Sequence, residues 1–297
     1  MLYDKLLLFS KITISSGSYG YIAGANTGSS AIKKINVEVD SATANISATL
    51  SYSTWASSSV STSSNAFNMG GAGTYPTTIN KFNLASEAIS VPSATLALGR
   101  MNAVGMSSST NGYGITGYNG ADRTEIDGLS FSTETSINPS ATASFASGYS
   151  ECRGFQKGTT SGIMGGGNGS SLLNSTMEFT FSTETSSTLG ATLSVSRGFL
   201  ATVWSSSNGY WCGGFSSVNY SDIDGINLST NAAINPSATL TAANRGCHGF
   251  NGVSKGLIAG GQAANTVDEL TFSTETRSAR TNSLNSTVYY GTSLQGL

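Results

Sequence analysis

A glycine that closes a short apolar run recurs six times, at Gly24, Gly70, Gly117, Gly165, Gly213 and Gly260, with successive intervals of 46, 47, 48, 48 and 47 residues. Each sits in a similar local phrase, as in Tyr21-Ile22-Ala23-Gly24, Phe67-Asn68-Met69-Gly70 and Tyr210-Trp211-Cys212-Gly213. A fixed period of this length in a β-rich chain specifies an array of equivalent small sheets.

Two further signals keep step with the glycine. About fourteen residues on comes an apolar residue followed by a small polar turn, as in Phe131-Ser132-Thr133-Glu134-Thr135, Phe181-Ser182-Thr183-Glu184-Thr185 and Phe272-Ser273-Thr274-Glu275-Thr276. Short hydroxyl and carboxyl side chains bond nearby backbone and favour turns, so this is a hairpin tip. Some ten residues later a Ser-Ala-Thr phrase recurs, at Ser47-Ala48-Thr49, Ser93-Ala94-Thr95, Ser140-Ala141-Thr142 and Ser237-Ala238-Thr239. Pro92, Pro139 and Pro236 precede three of these copies. Proline lacks a ladder donor and suits an outer edge strand. A run of small and apolar residues, headed by Arg100, Arg197 and Arg245 in three copies, leads into the next glycine strand.

Each period therefore reads as four short antiparallel strands. A sheet of about 47 residues cannot bury both faces alone, whereas six stacked radially can. The expectation is an all-β, six-bladed β-propeller over residues 17–297, with units near 17–64, 65–110, 111–158, 159–207, 208–256 and 257–297, and an N-terminal arm at 1–16 for docking or closure. Phe131, Phe181 and Phe272 are expected to fill the wide outer part of the wedge between blades. Ser286 to Gln295 has no glycine strand after it, and the first glycine strand has no partner before it. Pairing these chain ends closes the ring; Leu6 to Ile14 is the alternative closing strand.

Charged residues make up 10% of the chain and the formal net charge is −2, so no basic surface suits nucleic acid. Cys152, Cys212 and Cys247 form no Cys-x-x-Cys pair. They read as buried small residues, with a Cys212–Cys247 bridge as the open alternative. The apolar run Leu6-Leu7-Leu8-Phe9 is too short for a signal-peptide core or a membrane span. A Ser/Thr/Gly-rich surface suited to the extracellular milieu, without a visible export signal, fits a phage protein released by lysis.

The Gly-Gly strand, the Phe-Ser-Thr-Glu-Thr turn, the Ser-Ala-Thr strand and the Arg-headed strand together resemble kelch-like β-propellers. The Ser/Thr-rich form is similar to kelch-like repeat proteins of tailed bacteriophages. The resemblance covers roughly residues 17–295. It implies a virion protein of tail, fibre or capsid, in a symmetric assembly with other virion proteins, offering a propeller face to host-surface glycan. The second glycine is present as Gly71, Gly166, Gly214 and Gly261 but replaced by Ala25 and Tyr118. The propeller trait also departs from cellular kelch proteins in having no tryptophan in regular register, so their adaptor roles are not carried over.

Chemistry is sparse. His248 is the sole histidine, which excludes metal sites built on several imidazoles and leaves a packed or channel-lining role. Glu125 with Asp127, Asp222 with Asp224, and Asp268 with Glu269 read as repeated strand decoration. Paired carboxylates for glycoside hydrolysis or Ca²⁺ binding are the competing readings. Glu134, Glu184 and Glu275 read as solvated turn charges. No catalytic residue, metal or cofactor is assigned. Tyr75, Tyr118, Phe215 and Tyr220, in the variable loops after the glycine strands, are the candidate ligand contacts, because exposed rings stack on sugar faces. A lectin-like secreted protein and a propeller glycosidase are the alternatives to the virion reading.

Overall fold

Each sequence period folds into antiparallel strands, but every sheet takes its innermost strand from the end of the preceding period. The computed structural model describes residues 19–25, 28–139, 142–144 and 149–296, and among these there is no helix. From the axis outward, blade 1 is Thr292–Leu294, Tyr19–Ala23, Ser29–Asn36 and Ala44–Thr54, and blade 2 is Ser58–Ser61, Asn65–Met69, Ile79–Asn83 and Ile89–Ser90. Blade 3 is Val104–Ser107, Asn111–Ile115, Ile126–Ser130 and Thr135–Ile137, and blade 4 is Arg153–Lys157, Ser161–Gly165, Ser175–Thr180 and Thr185–Thr192. Blade 5 is Ala201–Trp204, Asn208–Cys212, Tyr220–Asn227 and Ala233–Ile234, with Thr239–Asn244 also pairing its third strand; blade 6 is His248–Asn251, Lys255–Ala259, Val267–Thr271 and Thr276–Ala279.

The inner strands touch their neighbours around a complete ring. Closure joins the chain ends: Thr292–Leu294 runs antiparallel to Tyr19–Ala23, with Tyr21 opposite Leu294 and Ala23 opposite Thr292. The arm at 1–16 and its alternative closing strand Leu6 to Ile14 lie outside the described residues. Near the axis, small residues decide how close blades come. A Cβ on Gly105 would lie 1.8 Å from the Ser59 carbonyl oxygen of the blade before it.

Proline marks three of the outer strands, while in blade 6 the strand Thr276–Ala279 is short without one. Where none intervenes, Ala44–Thr54 and Thr185–Thr192 run unbroken for 11 and 8 residues. In the three copies with Pro92, Pro139 and Pro236 the strand stops short of the proline, and pairing resumes beyond it at Thr95 with Thr78, Thr142 with Glu125, and Thr239 with Asp222. The proline thus breaks the outer strand in two instead of only preceding it.

The interfaces between blades hold both apolar and polar links. Phe131, Phe181 and Phe272 stack on Phe67, Tyr113 and Tyr210 of the preceding blade at centroid distances of 5.5, 5.6 and 6.0 Å, filling the wedge as expected. The turn glutamates are part-buried and, instead of standing free in solvent, are paired with the preceding blade. Lys81 of blade 2 pairs with Glu134 of blade 3, and Tyr113 of blade 3 donates to Glu184 of blade 4 at 3.1 Å. Tyr210 of blade 5 donates to Glu275 of blade 6 at 2.9 Å. The turn holds Glu134, Glu184 and Glu275 left-handed, at φ 53°, 51° and 53°, and this presents each carboxylate to the neighbouring blade.

Candidate functional site

One end of the ring gathers the loops between second and third strands and the connectors that carry the chain from each outer strand to the next inner one. These two sets are tied by the glycine turn. The turn amides of Ala25, Gly71, Gly117, Gly167, Gly214 and Gly261 donate to the carbonyls of Thr54, Arg100, Tyr149, Arg197, Asn244 and Val288 at 2.7 to 3.2 Å. The residue before each amide is left-handed: Gly24, Gly70, Thr116, Gly166, Gly213 and Gly260. A Cβ on Gly70 would lie 2.5 Å from the Arg100 carbonyl oxygen, which is why glycine dominates here. The equivalent pairs in blades 3 and 4 are therefore Thr116-Gly117 and Gly166-Gly167, so Gly117 and Gly165 are not true counterparts and Tyr118 does not replace the second glycine.

Two residues beyond each capping carbonyl the connector is left-handed again, at Ala56, Asn102, Glu151, Phe199, Gly246 and Tyr290, with φ between 53° and 65°. These six residues form a crown around the channel mouth. Five of the six amides donate to the crown carbonyl of the blade before: Asn102 to Ala56 at 2.7 Å, Phe199 to Glu151 at 3.1 Å, Gly246 to Phe199 at 2.9 Å, Tyr290 to Gly246 at 3.1 Å and Ala56 to Tyr290 at 2.5 Å. Left-handed backbone costs a non-glycine residue roughly 1–2 kcal/mol, and such strain persists where surrounding bonds impose it. The crown tolerates five side chains there because the neighbouring blades hold the backbone.

Connector side chains divide into structural and surface groups. Arg100 and Arg197 are buried and pair with Asp127 and Asp224 at 2.6 and 2.5 Å. Their guanidiniums also donate to the carbonyls of Gly114 and Gly213, each at 2.7 Å. Asp127 and Asp224 further accept the amides of Ala97 and Ser194 at 2.9 and 3.0 Å. In the next copy Asn244, not Arg245, takes this role, donating to Gly260 O at 2.8 Å. Arg245 instead lies over the Phe215 ring at 3.9 Å. Asp268 accepts from the Thr241 amide at 3.2 Å, and Glu269 pairs with Lys255 and Arg280 at 2.9 and 2.6 Å. These carboxylates fasten blades and connectors.

The nominated aromatics all lie part-buried on this end. Tyr75 and Tyr118 meet edge-on at 6.5 Å. Phe215 occupies the position of Tyr118 two blades on, since each bridges its connector and its own loop. Tyr220 accepts a hydrogen bond from Ser216 at 3.3 Å, with Arg197 5.7 Å from its ring centre. The Tyr75–Tyr118 and Phe215–Tyr220 groups are separate. Sequence reasoning missed the connector aromatics: Tyr290 contacts Phe199 at 4.9 Å, Tyr289 at 5.2 Å and Trp55 at 6.0 Å. Their signal was their shared place just before each inner strand, which reading those segments as strand alone concealed.

The mouth also carries charge. Burial pushes the Glu151 carboxyl up to about 7, with Arg153 opposing and Asp122 adding to the shift. His248 is 2% exposed, and burial together with Arg153 brings it down to about 3. Cys152, Cys212 and Cys247 are buried free thiols, and burial pushes Cys152 and Cys247 up to about 12. The Cys212–Cys247 bridge is not formed.

No protein-family model matches the chain, and no curated protein matches it. Its fold is widespread among solved structures, with 519 similar chains. One is the structure of YjhT, superposed with a TM-score of 0.69 at 11% identity over 80% of this chain and 86% of that one. The likeness establishes the propeller fold and leaves function to be argued from the site.

Proposed function

We propose that this protein is a non-enzymatic adhesion module of a bacteriophage virion, a kelch-like propeller whose connector end engages host-surface glycan. The observation that carries this reading is the gathering of part-exposed rings there, Trp55, Tyr75, Tyr118, Phe199, Phe215, Tyr220 and Tyr290. Flat rings held by a rigid scaffold stack on sugars at small entropic cost. The engagement of Asp127 and Asp224 in buried ion pairs supports a binding role over glycoside hydrolysis. The test is a glycan-array screen of the isolated propeller, followed by titration of Tyr118→Ala and Phe215→Ala. Losing one stacking contact of about 0.5–1.5 kcal/mol weakens binding roughly 2- to 10-fold. Unchanged affinity in both variants would falsify the assignment of these rings. Mass spectrometry of washed virions distinguishes the virion module, present at stoichiometric abundance, from a secreted lectin found in the medium.

A further inference from the structure

Below the crown, inner-strand residues of all six blades line an open cavity of about 140 Å³ on the axis. That is roughly ten times the space one water needs by this measure. Its walls are mostly small and polar, with Ser57, Ser59, Thr202 and Ser293 among them. Two residues in it stand out, Arg153 and His248, each two positions beyond a crown residue and so at one level of the ring.

Arg153 differs from the other arginines that fasten this fold. Arg100, Arg197 and Arg280 each have a carboxylate within 2.6 Å. Arg153 has no carboxylate within ion-pair distance among the described residues, and its guanidinium donates to the Cys152 carbonyl at 2.8 Å. Part-buried Arg153 remains charged; Glu151 attracts it without an ion-pair contact, and a partly desolvated charge favours a close anion. His248 supplies a second unmet group. Its ring hydrogen-bonds the Val288 backbone, while Nε2 is buried without a partner. Held neutral, the ring offers a lone pair to a donor.

We propose that the axial cavity binds a small hydroxylated anion, with its negative group on Arg153 and its hydroxyl donating to His248 Nε2. Glycolate-type hydroxy acids and hydrogen phosphate share this chemistry; acetate and chloride lack the donor. This site is distinct from the aromatic contacts proposed above, so Tyr118→Ala leaves it intact.

The test is thermal unfolding and calorimetric titration of the whole protein with glycolate, inorganic phosphate, acetate and chloride. The wild-type midpoint should rise with the logarithm of glycolate or phosphate concentration, and whichever acts identifies the source class. Arg153→Gln should abolish the response; measured below about pH 7, where Glu151 is protonated, it leaves no stranded carboxylate in the ligand-free protein. Arg153→Lys should keep a weaker response. Absence of any response, or an undiminished one in Arg153→Gln, overturns the site. An equal response to acetate overturns the role of His248, and a response to chloride alone overturns the hydroxylated ligand.

Discussion

The fastening role of the repeat carboxylates makes a quantitative prediction at Arg197 and Asp224. The two side chains are 0% and 5% exposed and lie 2.5 Å apart, and Arg197 donates to the Gly213 carbonyl as well. Asp224→Asn keeps an acceptor for the Ser194 amide but leaves the buried guanidinium unneutralised. Removing one member of such a pair costs about 3–5 kcal/mol, a large share of a typical stability of about 5–15 kcal/mol. Arg197→Met should be comparably costly, because it strands the carboxylate and the Gly213 carbonyl together. The double variant removes both charges and should cost less than the sum of the singles by roughly 2–3 kcal/mol. Urea unfolding followed by tryptophan fluorescence can measure this, with Trp211, 1% exposed, as a buried reporter. The part-exposed pair Lys34–Glu87 serves as control, and breaking it should cost less than about 1 kcal/mol. A cost for Asp224→Asn below about 1 kcal/mol, or strict additivity in the cycle, refutes the reasoning.

Two further outcomes follow from the closure strand and the crown. Leu294 is fully buried among Tyr21, Ala23, Leu50 and Phe82, so Leu294→Ala should cost about 2–5 kcal/mol, much as Leu129→Ala does inside blade 3. A near-silent Leu294→Ala in the same denaturation assay would show that the ring is not closed there. The folded Glu151 carboxyl holds its proton up to about pH 7, against 4.5 for the unreacted group. The folded state thus binds the extra proton, and the stability it contributes is full below about pH 4.5 and lost as pH rises through about 7. Glu151→Gln should flatten that decline in unfolding midpoint, and a variant that tracks wild type across the window excludes Glu151 as its source.

The architecture was legible because its determinants repeat in kind. The glycine turn and the polar hairpin tip each answer a local backbone demand, and a demand repeated six times leaves a period. The register of single residues was less legible, because geometry fixes the position while chemistry there varies. Thr116 adopts the left-handed state that glycine fills elsewhere, so counting glycines set blade 3 off by one residue, and in blade 4 the run Gly165-Gly166-Gly167 offered three glycines of which Gly166 is the left-handed counterpart. Asn244 fills the place of Arg100 and Arg197 with an amide, so counting arginines pointed to Arg245. The turn glutamates looked solvated because their partners, Lys81, Tyr113 and Tyr210, belong to another period. A contact about 50 residues away in sequence, as from Lys81 to Glu134, leaves no trace in a local reading.

The crown explains why the candidate site was the least legible part. Its defining bonds are backbone to backbone, so it imposes no residue type, and the six equivalent positions hold alanine, asparagine, glutamate, phenylalanine, glycine and tyrosine. The fastening positions are the opposite case, since a side-chain acceptor must be present to meet a connector amide, as Asp127, Asp224 and Asp268 are and as Asn80 is for Ser51 at 2.9 Å. Conformation at the mouth is thus secured without side chains, and the side chains there are released from structural duty. One blade can then present Glu151 while others present Phe199 and Tyr290 on the same rigid ring. A repeat fold becomes specific by this division: bonds that need no side chain hold the rim, and the rim is where the copies differ.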